Sequence, residues 1–327
     1  MLKFLRNSNP SHYAFCLIAT LLVHSVSLYN PSYAPIETQL APLAKVLHLQ
    51  LNWLFASSFF NTVLGVISVY FIAIYLNEIM NRFQLFRYRN FSVAYLFILL
   101  SGLFADIVHF SEVHIAIYFL LLSLHSLLKS IHGETKDGQM FDIITYISMA
   151  SMFYLPCSFF LVYCLMGFVM FNVILQKHLL LILLAFVMPY LFFEAMCYLL
   201  DTPLFLFEHL QLQLAFYKAI FWHFDSMQWS NFILISLVFI LGISYFYYHY
   251  YVCYLNVRKM LNLILLLGCN VLLNFVFVAG TNMQSLLFLL MPVSIFTANL
   301  IYIEYKKIWT TALAGLLVFW VAINMLN

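Results

Sequence analysis

The sequence predicts an all-α polytopic membrane protein, a single transmembrane helix bundle of about eleven spans. The first reason is composition, since 65% of the 327 residues are apolar and 8% are charged, against about 25% charged residues in an ordinary soluble domain. The second is a succession of apolar runs, most of them near the length of about 20 residues that crosses a bilayer. The third is the placement of Lys and Arg in alternate connecting segments. This composition excludes a water-soluble enzyme, a disordered chain and a nucleic-acid-binding protein.

The apolar runs define the predicted spans in chain order. They lie at 13–29, 53–76, 92–108, 112–128, 143–157, 159–175, 179–200, 230–250, 260–279, 286–303 and 308–325. The fifth run is short and ends at Pro156, so it predicts either a tilted span or a re-entrant pair with the sixth run. No soluble domain or long linker interrupts the series, and residues 1–327 are therefore predicted to form one integral membrane domain.

The basic residues predict a cytoplasmic N-terminus. In this orientation twelve of the fourteen Lys and Arg residues lie on the cytoplasmic side, and only Lys45 and Lys218 lie outside. A span added or removed in mid-chain would reverse every later segment and destroy this bias. Lys3 and Arg6 before an apolar run also resemble a secretory signal, but the length of the run favours an uncleaved first helix.

Two predicted outer loops are long, at 30–52 and 201–229. Both contain amphipathic stretches; the one at 204–224 has apolar residues at broadly helical spacing. Helices of this kind lie along the membrane surface with the apolar face in the headgroup region. Loops on a rigid scaffold often carry function, and the alternative is that both loops only cover the end of the bundle.

Four ionisable residues cluster in the short turn between the third and fourth spans. They are Asp106, His109, Glu112 and His114. Two imidazoles and two carboxylates at this spacing can ligate a divalent cation or serve as an acid–base pair. The alternative is that they are ordinary polar helix ends that emerge into water.

Three more carboxylates are candidate site residues. Glu194 lies inside the seventh span, after Pro189, where an ionisable side chain is costly unless it is paired or hydrated. Asp201 follows seven residues later on roughly the same helix face, so the two are predicted to line a cleft open to the outside. Glu37 is the only acid in the first outer loop. The alternatives are that Glu194 extends its carboxylate towards the interface and that Glu37 is simply solvated.

Other polar residues within the spans predict contacts between helices. Asn270 and Asn274 form an i, i+4 pair that we expect to hydrogen-bond to a neighbouring helix, and His24 and His125 have a similar expected role. The six cysteines have no CxxC spacing, which favours free thiols over disulfides or zinc. An aromatic belt at the inner end of the eighth span is predicted from Tyr245, Tyr247, Tyr248, Tyr250, Tyr251 and Tyr254.

Short motifs between residues 76 and 201 carry a first resemblance. They are Leu76-Asn77, Phe104-Ala105-Asp106, the segment from Leu124 to Lys129, Phe141-Asp142, the segment from Ala150 to Tyr154, and Pro189-Tyr190. This region, about 40% of the chain, resembles an uncharacterised family of multi-pass bacterial inner-membrane proteins. The resemblance implies a location in the bacterial inner (plasma) membrane and implies no chemistry.

The arrangement of spans and long loops carries a second resemblance, to the lipid-linked glycosyltransferases of the C superfamily (GT-C). It implies sugar transfer from a polyprenyl-phosphate donor at the outer membrane face. The catalytic acid of these enzymes lies in the first outer loop, normally as part of a pair, whereas only Glu37 is present here. The resemblance thus implies Glu37 as the base, Glu194 and Asp201 as cleft residues, and a metal or phosphate-proximal cluster formed by Asp106, His109, Glu112 and His114.

A second class of function remains open. The chain can equally be a non-enzymatic membrane subunit or scaffold of an envelope complex, with aromatic helix faces packed against membrane-protein partners. A transporter ranks third, because nine glycines are too few for obvious glycine-broken helix pairs. The expected partners are accordingly the lipid bilayer, a polyprenyl-phosphate lipid or other membrane proteins.

Overall fold

A computed structural model describes residues 10–31, 41–50, 57–86, 89–130, 137–170, 175–199, 226–277, 283–303 and 308–326. All regular structure within these ranges is helical, with thirteen α-helices, four 3-10 helices and no strand. The predicted all-α fold is therefore confirmed for the described part of the chain.

The α-helices are named in chain order. They are α1 Ser11–Val23, α2 Ser25–Tyr29, α3 Pro42–Gln50, α4 Ser58–Arg82, α5 Ser92–Ser101, α6 Glu112–Lys129, α7 Asp137–Phe153, α8 Phe160–Met170, α9 Leu175–Leu199, α10 Ser226–Tyr248, α11 Leu255–Phe277, α12 Leu286–Ile303 and α13 Ile308–Leu326. The 3-10 helices are Ala105–Val108, Leu155–Phe159, Tyr250–Val252 and Met283–Ser285.

Each of the eleven predicted spans overlaps an α-helix, with two notable differences in extent. The first predicted span is interrupted at His24, which separates α1 from α2. In the third predicted span, the α-helix ends at Ser101, because Gly102 leads into the 3-10 helix that follows. Within the described ranges, five helices contain segments long and apolar enough to cross a membrane, namely α4, α6, α9, α10 and α11.

The first predicted outer loop, at 30–52, contains the nine-residue helix α3. The amphipathic stretch predicted at 204–224 in the second loop lies outside the described residues. The number of eleven spans and the cytoplasmic N-terminus remain predictions.

The helices of the bundle run alternately in opposite directions. We call the end where α6 begins the Glu112 end and the end where α6 finishes the Lys129 end. At the Glu112 end, Asn231 near the start of α10 bonds to Asn324 near the end of α13. Also at this end, Asn274 near the end of α11 bonds to the carbonyl of Pro156, just beyond the end of α7.

Helices α7 and α9 lie side by side and run in the same direction. Near the Lys129 end, His178 Nδ1 lies 3.6 Å from Asp137 Oδ1. Near the Glu112 end, the hydroxyls of Ser151 and Tyr190 are 2.6 Å apart. Whether the fifth apolar run forms a span or a re-entrant pair with the sixth stays a prediction.

Helix α12 is at the centre of the bundle. Every residue from Leu286 to Ile301 is buried, and the helix packs against α5, α10, α11 and α13. A helix that is apolar on all sides needs such enclosure by neighbours or by lipid. Helix α9, by contrast, packs mainly on α7 and exposes apolar side chains such as Phe192, which is 68% exposed. Its outer face therefore suits contact with lipid chains.

Helix α4 packs unusually closely against the 3-10 helix Ala105–Val108, at Gly65. A Cβ atom added to Gly65 would lie 1.6 Å from the carbonyl oxygen of Val108. One turn earlier in α4, the carbonyl of Asn61 accepts a 3.4 Å hydrogen bond from the backbone N–H of Phe110. Glycine at this position thus allows the turn before α6 to pack directly on the backbone of α4.

Candidate functional site

The N-terminus of α6 is closed by a capping box formed by Ser111 and His114. The Ser111 side chain accepts from the backbone N–H of His114, and Nδ1 of His114 accepts from the backbone N–H of Ser111 at 3.3 Å. Histidine thus takes the position that Glu or Gln usually occupies in this motif. Because Nδ1 is an acceptor, the neutral ring carries its proton on Nε2.

Glu112, the first residue of α6, faces a histidine from the first predicted outer loop. Its Oε2 atom lies 3.4 Å from Nε2 of His48 in α3, although 64 residues separate the two in sequence. The carboxylate is buried, and its place in the first helical turn lets the α6 dipole stabilise its charge. This contact joins α3 to the bundle at the Glu112 end.

His109 lies between the 3-10 helix Ala105–Val108 and α6, and it is buried. Its backbone carbonyl accepts a 3.3 Å hydrogen bond from the side-chain amide of Gln284, just before α12. The turn that carries the predicted cluster is thus held by α3, by α4 and by the segment that leads into the central helix.

The structure brings His109, Glu112 and His114 together in one buried turn and adds His48, which the predicted cluster did not contain. Asp106 belongs to the adjacent 3-10 helix, but its side chain lies outside the described set. Among the described side chains, no group of three or more His, Cys, Asp or Glu residues is placed to hold a metal ion. The metal site formed by Asp106, His109, Glu112 and His114 therefore stays a prediction.

Glu194 is half-buried near the Glu112 end of α9. It lies one helical turn after Tyr190, whose hydroxyl meets Ser151 of α7, so both residues are on the side of α9 that turns towards α7. In the same interface, the Ser148 hydroxyl donates to the carbonyl of Phe186 at 2.6 Å. Glu194 thus lies on the same side of α9 as these two contacts. Its predicted cleft partner Asp201, like Glu37, lies outside the described residues.

A polar network that was not predicted from the sequence lies at the Glu112 end. The amide of Asn231 in α10 donates to the carbonyl of Leu103 at 2.6 Å and to Oδ1 of Asn324 at 2.7 Å. The side-chain oxygen of Asn231 accepts a hydrogen bond from the indole N–H of Trp320 at 2.8 Å. The available signal was a single asparagine near the start of an apolar helix, whereas Asn270 and Asn274 were identified as an i, i+4 pair.

The predicted contacts between helices are confirmed. The amides of Asn270 and Asn274 donate to the carbonyls of Phe159 and Pro156. His24 lies 3.1 Å from the Ser101 hydroxyl, and His125 lies 3.3 Å from that of Tyr75. All six cysteines are free thiols, as predicted.

The long apolar helices and the buried helix contacts define a multi-pass helical membrane protein with a polar, partly ionisable turn at one end. The chain belongs to a family of unknown function, DUF6427, whose model matches residues 41–326. No curated protein and no solved structure matches the chain. The match covers nearly the whole chain, and the family has no assigned activity.

Proposed function

We propose that this protein binds a polyprenyl-phosphate-linked sugar at the Glu112 end and transfers the sugar to an acceptor at the outer face of the bacterial inner membrane. The observation that carries the proposal is the buried turn with His109, Glu112 and His114, which His48 of α3 approaches to 3.4 Å from Glu112. Four residues separate Glu37 from the first residue of α3 in the sequence. The acid of the first loop is therefore close in the chain to the helix that reaches this turn.

The proposed reaction needs a base and a site for the leaving phosphate. The carboxylate of Glu37 takes the proton of an acceptor hydroxyl, whose oxygen then forms a bond to the anomeric carbon of the sugar. The bond between that carbon and the phosphate oxygen breaks, and polyprenyl phosphate leaves with the electron pair. Glu194 and Asp201 line the cleft in this scheme.

The buried turn offers polar groups for the phosphate. The imidazole N–H groups of His48 and His109 can donate hydrogen bonds to phosphate oxygens. Of the four residues of the predicted metal site, His114 already uses Nδ1 in the cap bond, so in this scheme Asp106, His109 and Glu112 are the ligands of a divalent cation. Such a cation would neutralise charge on the departing phosphate.

Native mass spectrometry of the gently extracted protein tests binding. We expect a polyprenyl phosphate or sugar-linked lipid retained at about one per chain. Transfer is then measured with a polyprenyl-phosphate-linked hexose, where Glu37→Gln should lower the rate about 10²-fold or more while the lipid stays bound. The matched control is Glu78→Gln, since Glu78 lies near the Lys129 end, where it accepts a hydrogen bond from Tyr13.

Two results would overturn the proposal. One is a stoichiometric protein partner in the absence of any such lipid, which would make this chain a subunit of an envelope complex. The other is an unchanged transfer rate in folded Glu37→Gln protein.

A further inference from the structure

A turn at the Lys129 end holds an arginine in a defined position. The chain leaves α10 at Tyr248, forms the 3-10 helix Tyr250–Val252 and enters α11 at Leu255. Arg258 reaches back over this turn, with Nε donating to the carbonyl of Cys253 at 2.8 Å and Nη2 to that of Tyr251 at 3.3 Å. Its guanidinium carbon lies 5.1 Å from the ring centre of Tyr250 and 5.9 Å from that of Tyr251.

These contacts orient the guanidinium and engage only part of its hydrogen-bonding capacity. A guanidinium has five N–H groups, arranged in a planar fork. The two backbone carbonyls accept from two nitrogens, and neither of the two ion pairs among the described residues involves Arg258. The remaining N–H groups form the kind of rigid donor set that binds a phosphate through two parallel hydrogen bonds.

Exposed side chains, most of them aromatic, occur on the same turn as this arginine. Tyr248, Tyr251 and Tyr254 are 84–86% exposed, and Leu255 is 62% exposed. Tyrosine at the end of a membrane helix lies at the level of the lipid headgroups, with the ring against the acyl chains and the hydroxyl in the polar layer. These three tyrosines and Leu255 thus combine apolar surface with hydroxyl groups suited to the headgroup layer.

The helices that form this turn carry positive charge. Between residues 226 and 303 the sequence contains two Lys or Arg residues, Arg258 and Lys259, and no Asp or Glu. The next acid along the chain, Glu304, lies outside the described residues. Helices α10, α11 and α12 therefore contribute no carboxylate from residues 226–303 to neutralise the two cations.

We propose that Arg258 and Lys259 bind the phosphate of an anionic phospholipid headgroup, with Tyr248, Tyr251 and Tyr254 packed against the same lipid. A lipid fits better than a soluble anion, because the cations lie beside exposed tyrosine rings and Leu255 at the end of two apolar helices. Each basic residue near an anionic membrane surface also gains attraction to that surface. This site lies at the opposite end of the bundle from the Glu112 turn and does not depend on the function proposed there.

Native mass spectrometry of the detergent-purified protein with added phosphatidylglycerol or phosphatidylcholine tests the site. We expect phosphatidylglycerol to stay bound at about one per chain and phosphatidylcholine to dissociate. Arg258→Gln should weaken retention of phosphatidylglycerol about tenfold, as expected for loss of a hydrogen-bonded charge pair. Arg82→Gln is the matched control, because Arg82 is an exposed cation near the same end of the bundle.

Arg258→Gln also removes two bonds to the turn, so a second variant separates lipid binding from folding. Lys259→Gln leaves those bonds in place and should weaken retention by a smaller factor. Equal retention of the two lipids would overturn the proposal, as would unchanged phosphatidylglycerol binding in both folded variants. Displacement of the lipid by inorganic phosphate at millimolar concentration would also overturn it, in favour of a soluble anion.

Discussion

His114 shows how one side chain in an ionisable cluster can have a structural role. Its Nδ1 atom closes the capping box of α6, so the ring is oriented by the backbone of Ser111. From the sequence, two histidines and two carboxylates in nine residues were compatible with a metal site, with an acid–base pair and with ordinary polar helix ends. The cap could not be predicted, because it depends on the extended backbone of Ser111 and the rotamer of the histidine.

The cap can be tested by the choice of substitution. His114→Gln should preserve much of the stability, because Gln is a usual third residue of a capping box. His114→Ala should cost about 2 kcal/mol or more, since it removes the cap and leaves a cavity at a fully buried position. Thermal unfolding in detergent measures the difference. Equal losses in the two variants would mean that the cap bond contributes little.

Gly65 provides a second prediction at this scale. In Gly65→Ala, the new methyl group would overlap the Val108 carbonyl oxygen, so α4 and the turn before α6 must separate. We expect destabilisation of about 3 kcal/mol and a lower yield of folded monomer. Gly315→Ala is the control, since nothing lies within 4 Å of a Cβ at that position in α13. Its melting temperature should be unchanged or slightly higher.

At the scale of elements, the positions of the helices could be read from apolar runs, and their partners could not. Predicted spans 286–303 and 308–325 match α12 and α13 within one residue. Nothing in the sequence paired Asn231 with Trp320, or His48 with Glu112, because these contacts depend on how distant helices pack. Asn270 and Asn274 were predictable as a pair, but their acceptors were not.

The asparagine pair in α11 satisfies carbonyls that follow the end of α7. Asn274 donates to Pro156 at 2.9 Å and Asn270 to Phe159 at 3.4 Å, so the first bond is the shorter. We expect Asn274→Leu to destabilise the protein by about 2 kcal/mol and Asn270→Leu by less, because each removes a side-chain hydrogen bond that joins α11 to the segment after α7. Chemical denaturation in mixed micelles compares the two. A larger loss for Asn270→Leu would contradict this ranking.

At the scale of the whole molecule, the bias of Lys and Arg predicts which end faces the cytoplasm. An odd number of spans places the two chain termini on opposite sides of the membrane. The Glu112 end, which α13 reaches at its final residues, should therefore face outwards, and the Lys129 end should face the cytoplasm.

Labelling with a membrane-impermeant maleimide checks this orientation. All six native cysteines are free thiols and must first be replaced. In that background, Lys45→Cys should react in intact cells, whereas Lys136→Cys should react only after the membrane is opened. Reaction of Lys136→Cys in intact cells would reverse the orientation.

The central place of α12 has a consequence for biosynthesis. The residues that fill the middle of the bundle begin at Leu286, so the ribosome has made most of the chain before they leave the exit tunnel. Until then, the faces of α5, α10 and α11 that will enclose α12 have no permanent neighbour. The nascent chain must wait in the insertion machinery or in lipid with these faces uncovered, and a protein cut short before Leu286 would enter the membrane without the helix that α5, α10 and α11 enclose.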